Sequence, residues 1–200
     1  MKNFLLRDFV AALTTLDDNE HLLAKIEVEV APILAGLKPS ALMTFSKDSR
    51  NSYQRWEFCK AECCARLNLH YYELRKSKQY ILVLFYNPDL LADVLDNNEN
   101  RSFLHSMGYP DGLALPQILS ILQERFAGYC PHEIGLFLGI AKEDVDGFIR
   151  NQGGKCLFCG YWKVYHKPYE AYNLFRRYDL ARYKVMQQIC RRNSVAAVSA

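Results

Sequence analysis

No uncharged apolar run of about 18 residues occurs in this 200-residue chain, so a membrane-spanning helix is excluded. The apolar start at Phe4-Leu5-Leu6 is cut short by Arg7 and Asp8, well before the roughly 7 to 15 apolar residues of a signal-peptide core, and predicts a helix start instead. There is no Gly-x-Gly-x-x-Gly, Walker A loop, Gly-x-Ser-x-Gly elbow, His-Glu-x-x-His or EF-hand loop, so no motif supports common nucleotide, hydrolase or calcium chemistry, and no cofactor is indicated. His132-Glu133 lacks the second histidine of a zinc protease. A paired disulfide framework is also missing. The seven cysteines are odd in number and include the adjacent Cys63-Cys64, a pattern that fits a reducing cytosol and predicts a cytoplasmic protein.

What is there is a globular balance, 50% hydrophobic and 24% charged residues. A chain of this size buries about 70% of its unfolded surface, so it needs no disulfide or metal to fold. No internal repeat, low-complexity tract or Pro/Gly/Ser linker divides it, and a single domain over residues 1–200 is expected.

Apolar spacings of three and four predict helices over 3–15 and 20–35, broken by Asp17-Asp18-Asn19, and again over 52–67, where Trp56, Cys59, Cys63 and Leu67 share a face. Cys59 and Cys63 on that face are expected to pack in the core. Ala41–Phe45 reads as a buried strand. Leu69–Leu74 and Tyr80–Tyr86 read as a hairpin around Arg75–Gln79. Helical segments follow near 88–97, 100–107, 114–127, 131–138 and 142–150, then a fourth strand at Tyr161–Tyr165 and a last helix of about 20 residues opened by Pro168. The expected fold class is α+β, with a small mixed sheet of about four strands including a central hairpin, covered by helices.

Charge is unevenly spread. Residues 150–200 carry ten Lys and Arg against Glu170 and Asp179, while residues 1–149 carry fifteen against twenty acids. The basic quarter can pack against the acidic remainder or meet an acidic partner, a phosphate or nucleic acid. Tyr161, Lys163, Tyr165, Arg176, Arg177 and Arg182 interleave aromatic and cationic side chains and are the candidate ligand- or partner-binding residues. In a strand, alternation would place Tyr161, Lys163 and Tyr165 on one face, with Trp162 and Val164 opposite.

The stretch Cys130–Ile149 offers three chemistries. Pro131 suits the first residue of a helix and Gly139 its left-handed stop, and Gly135, Gly139, Val145 and Phe148 imitate a DNA-binding helix-turn-helix. Charge argues against a DNA reader, because the second helix presents Glu143, Asp144 and Asp146 where Lys, Arg, Asn or Gln are needed. A helix start at His132-Glu133 would lower the pKa of a thiol beside it, making Cys130 a candidate thiolate with His132 as base and Glu133 as helper. Cys156-Leu157-Phe158-Cys159 is a CxxC; Cys159 is a second candidate nucleophile, and Cys130, His132, Cys156 and Cys159 together are the one ligand set a zinc site could use, although no metal is expected.

Pro131–Gly139, Glu143-Asp144-Val145, Gly147-Phe148-Ile149 and Gly160–Tyr165 resemble the bacterial family known as Domain of Unknown Function 3793, and Lys38-Pro39-Ser40, Val83–Asn87 and Gly108-Tyr109-Pro110 extend the likeness over nearly the whole chain. Ala141 stands where that family has proline, which affects turn stiffness more than chemistry. The resemblance implies a cytosolic protein of anaerobic Firmicutes, linked to iron or redox physiology through neighbouring flavodoxin and ferrous-iron transport genes. Three functions follow as expectations. The first is a non-catalytic accessory protein holding an acidic redox partner such as a flavodoxin, or an anionic cofactor. The second is a thiol-dependent enzyme using Cys130 or Cys159 with His132, and the third a DNA-binding regulator acting through residues 131–150.

Overall fold

Asp17 sets the first break in the chain. Its carboxylate accepts from the backbone N–H groups of Asn19 and Glu20 at 2.9 and 3.0 Å, ending one helix and starting the next. The computed structural model describes residues 2–47 and 50–198, and the ends of the expected 1–200 span lie outside the described residues. The helices on either side of Asp17 are α1 (Lys2–Thr15) and α2 (Asp18–Leu34). They are followed by β1 (Ser40–Ser46), α3 (Ser52–Leu67), β2 (His70–Lys76), β3 (Tyr80–Tyr86), α4 (Pro88–Asp96), α5 (Asn98–Ser106), α6 (Leu115–Arg125), α7 (Ile134–Phe137), α8 (Lys142–Arg150), β4 (Phe158–Cys159), β5 (Lys163–Val164) and α9 (Pro168–Val198). Asparagines cap three of these starts: Asn51 accepts from Gln54 N, Asn87 from Leu90 N, and Asn97 from Glu99 N and Asn100 N.

The fold is α+β. Its main sheet has the order β1-β3-β2 and is antiparallel throughout, rather than mixed. The expected hairpin is present, with β3 at the centre and β2 at one edge. The segment expected as a fourth strand, Tyr161–Tyr165, pairs for only two residues, Lys163 and Val164, and its partner is β4 in a separate ribbon. The physical reason lies in its flanks: Gly160 N donates back to Trp162 O at 3.0 Å in a tight turn, and beyond Val164 the N–H groups of Tyr165 and His166 bond a side chain instead of a strand.

The apolar run Tyr80–Tyr86 faces two ways. Ile81, Val83 and Phe85 pack against α2 and α3 with Trp56, Cys59, Cys63 and Cys64, where Phe45 stacks on Trp56 at 4.6 Å. Leu84 joins Leu91, Leu95, Leu104, Leu119, Leu122 and Phe137 from the helices of the opposite layer. A strand buried on both faces has no polar alternation, which is why β3 reads as continuous hydrophobicity. Cys59 and Cys63 lie in the first core with their sulfurs 3.4 Å apart, and burial pushes the Cys63 and Cys64 thiols well up.

Two expected helices change length. The one at 131–138 shrinks to Ile134–Phe137, because residues 131–136 form successive three-residue turns: Ile134 N to Pro131 O, Gly135 N to His132 O and Leu136 N to Glu133 O. The last helix grows from about 20 residues to 31, since Val185, Met186, Ile189 and Cys190 find a second packing surface on α1 and α2. Among the described residues no helix is long and apolar enough to cross a membrane.

Candidate functional site

Four segments converge where the chain passes from α7 into α8 and back through the β4-β5 ribbon. Gly135 lets α8 approach closely: a Cβ there would stand 2.6 Å from Val145 Cγ2. Gly139 has φ +77 and lies against Pro39, whose Cδ would be 2.6 Å from an added Cβ, so this position demands glycine for both conformation and space. Ser40 Oγ, buried, donates to Phe137 O at 2.5 Å, and Asn87 N donates to Pro39 O at 3.0 Å. Lys38-Pro39-Ser40 is thus the joint between sheet and α7.

The candidate thiol site is arranged differently from the sequence expectation. His132 and Glu133 occupy tight turns ahead of a four-residue helix, so the helix dipole invoked to activate Cys130 is missing. Partial burial pushes the Cys130 thiol up, and the Glu133 carboxylate pushes it the same way. Glu133 is 2% exposed and is bound by Arg125 Nε and by Tyr109 OH at 3.3 Å. Arg125 in turn donates to Met107 O at 3.0 Å, so Glu133 ties α6, the 107–109 loop and α7 together. The exposed His132 ring packs on Phe148 at 5.3 Å.

Asp144 is the centre of the next layer. It is 3% exposed; Oδ1 accepts from Tyr165 N at 2.7 Å and His166 N at 2.8 Å, and Oδ2 accepts from Trp162 Nε1 at 2.7 Å. Three donors replace its hydration and fix the ribbon onto α8. Gly147 completes the seat, since a Cβ there would lie 2.5 Å from Tyr165 Cβ. Lys163 Nζ donates to Gly153 O at 2.5 Å and stands 6.0 Å from the Phe148 ring centroid. The Tyr165 hydroxyl is buried with no acceptor among the described residues. Beside this layer is a groove of about 420 Å³, bordered by Asn97, Lys142, Glu143, Trp162, His166 and Lys167.

Cys159 is exposed and Cys156 partly so. Among the described residues no three His, Cys, Asp or Glu side chains come together as a metal-binding group, so the fold does not assemble Cys130, His132, Cys156 and Cys159 into a ligand set.

The six aromatic and basic candidates divide in two. Tyr161 donates to Asp179 at 2.9 Å and accepts from Arg182 Nη1 at 3.3 Å, while Arg182 Nη2 donates to Glu29 Oε1 at 2.7 Å. Arg192 likewise pairs with Glu27 at 2.5 Å, so part of the basic quarter does meet acids of α2. Arg176 and Arg177 are exposed and make no ion pair or hydrogen bond among the described residues. They share the outer surface of α9 with Tyr169, Tyr172 and Leu180, which are 76, 53 and 54% exposed.

A family model for proteins of unknown function, DUF3793, matches residues 26–199. The chain belongs to the DUF3793 family. No curated protein and no solved structure matches it.

In this DUF3793 chain, sequence reasoning missed Asp144 as an organising group. Asp144 was hidden among Glu143 and Asp146, and only its place one turn from Gly147 hinted that it turned inward.

Proposed function

We propose that this DUF3793 protein is a non-catalytic accessory protein that holds an acidic protein partner on the outer surface of α9, the partner being an acidic redox protein such as a flavodoxin in iron or redox metabolism. The supporting observation is the pairing of two exposed arginines without acids, Arg176 and Arg177, with three exposed large side chains, Tyr169, Tyr172 and Leu180. Arginine and tyrosine are the side chains that most often anchor interfaces, and unpaired cations steer an acidic partner in. Tyr161, Lys163 and Arg182 belong to the internal support of this surface, because each already has a partner within the chain.

The thiol reading has less support. Cys130 is pushed away from the thiolate, and Glu133 is bound to Arg125 and Tyr109. The DNA reading has less support too, because Glu143 and Asp146 lie on the side of α8 that is not buried, where they repel phosphates.

Binding of a purified flavodoxin, measured by calorimetry at low and high salt, tests the proposal. Affinity is expected to fall about tenfold or more with added salt, as for charge-led association. The double reversal Arg176→Glu, Arg177→Glu is expected to abolish binding while leaving the circular dichroism spectrum unchanged. Undiminished binding by that variant would overturn it.

A further inference from the structure

The two edges of the main sheet are built differently. β2 carries Glu73, Arg75 and Lys76 and breaks register between Glu73 and Arg75, and Gln123 Nε2 donates to Glu73 O at 2.6 Å. An incoming strand finds that edge bent, charged and partly occupied. β1, by contrast, has no charge, proline or glycine over Ser40–Ser46 and keeps unbroken register with β3 along its whole length. Pro39 O accepts from Asn87 N at 3.0 Å and Lys47 N donates to Gln79 O at 3.3 Å, so the odd-numbered residues between them bond β3. The even-numbered ones turn their N–H and C=O groups to the free edge. Ser52 Oγ serves both groups of Ser46, at 3.0 and 2.9 Å, and Ser40 is fully buried. Leu42 and Thr44 remain, and among the described residues no other element bonds their backbone. Both line a groove of about 410 Å³.

Phe9 and Leu13 of α1 and Val28 of α2 give this groove an apolar wall. On α1, Leu6 and Val10 are 50 and 54% exposed, so the apolar surface of that helix is only partly covered. Lys25 and Glu29 of α2 also border the groove. Glu29 is held by Arg182 at 2.7 Å, whereas Lys25 is exposed and has no acid partner among the described residues, so the free charge here is positive. We propose that the free edge of β1 receives an extended peptide segment of a partner protein as a fourth strand, with apolar side chains at alternate positions and an acidic side chain for Lys25. Bare donors and acceptors on alternate residues, about 6.8 Å apart, match the two-residue repeat of an extended backbone, whereas a helix has already satisfied its own groups. Side chains on one face of the added strand pack on Phe9, Leu13 and Val28. A second copy of this chain fits less well. Antiparallel pairing of two β1 strands keeps like faces of both sheets on one side, so the second copy's α2, packed on its own β1, would run into α1. The groove shares no residue with the Arg176-Arg177 surface and does not depend on that reading.

The test is fluorescence anisotropy of a dye-labelled, end-blocked peptide of alternating valine and threonine closed by one glutamate, titrated with the whole chain. Saturable binding is expected. A copy N-methylated along its backbone keeps the side chains but lacks the N–H donors, and is expected to bind about tenfold more weakly, as for the loss of one or two hydrogen bonds. Thr44→Pro removes an N–H that β3 does not use, and is expected to weaken binding about tenfold with the circular dichroism spectrum unchanged. Lys25→Glu, at an exposed position, is expected to weaken binding of the glutamate peptide and to favour a copy ending in lysine, and it decides the matter if the proline variant does not fold. No saturable binding, equal binding by the N-methylated copy, or unchanged binding by both variants would overturn the proposal. Sedimentation that shows a dimer made monomeric by Thr44→Pro would assign the edge to a second copy and overturn it as well.

Discussion

Carboxylates leave water only where donors replace their hydration, and the two buried acids among the described residues, Glu133 and Asp144, are served in different ways. Glu133 has a charged partner, Arg125, and a phenol; Asp144 pairs with no cation among the described residues and relies on two backbone N–H groups and an indole. Asn at position 144 would keep the size but present an amide N–H to the Trp162 N–H, donor against donor. Asp144→Asn is therefore expected to cost about 2 kcal/mol, seen as a lower urea midpoint and altered Trp162 fluorescence. An unchanged midpoint would show that the ribbon is held by its apolar contacts with Phe175 alone. The sequence marked His132-Glu133 as a notable pair for a catalytic reason; the fold uses Glu133 as a tie between three segments. Local chemistry could not separate those roles, because Arg125 and Tyr109 are distant in the chain.

Among the elements, α9 differs most from its sequence expectation. At 31 residues it is about 46 Å long, and its two halves rest on different surfaces. The first half seats Phe175 and Tyr178 on the ribbon and the Leu37 turn. The second half places Ile189, 2% exposed, against Phe9 and Ala24. Ile189→Ala is expected to cost about 3 kcal/mol in denaturant unfolding, the usual result of emptying a buried aliphatic site. A loss close to zero would mean that the second half of α9 adds nothing to folding. Where an element is decided by its own residues, the sequence was readable: Asp17, Asn51, Asn87 and Asn97 bond N–H groups two or three positions ahead and mark four helix starts close to their observed places. Where an element depends on a distant surface, as in α7, β5 and the far half of α9, the boundaries moved.

At the scale of the whole molecule, β3 contributes to both large cores, Ile81, Val83 and Phe85 on one side and Leu84 on the other. Disrupting either layer removes support from the same strand. We propose on this ground that residues 1–200 fold as one domain, and scanning calorimetry is expected to show one transition with equal calorimetric and van't Hoff enthalpies. Two resolved transitions would separate the layers. The sequence by itself determined the α+β class, the hairpin, most helices, the family and the basic bias of the last quarter, since periodicity, caps and composition act within a few residues of each other. Only the tertiary structure decided which of those cations remain available. Arg182 and Arg192 are taken by Glu29 and Glu27 across more than a hundred residues of chain, while Arg176 and Arg177 are not, because the helical turn aims them away from α2 and an ion pair depends on distance in space rather than along the sequence.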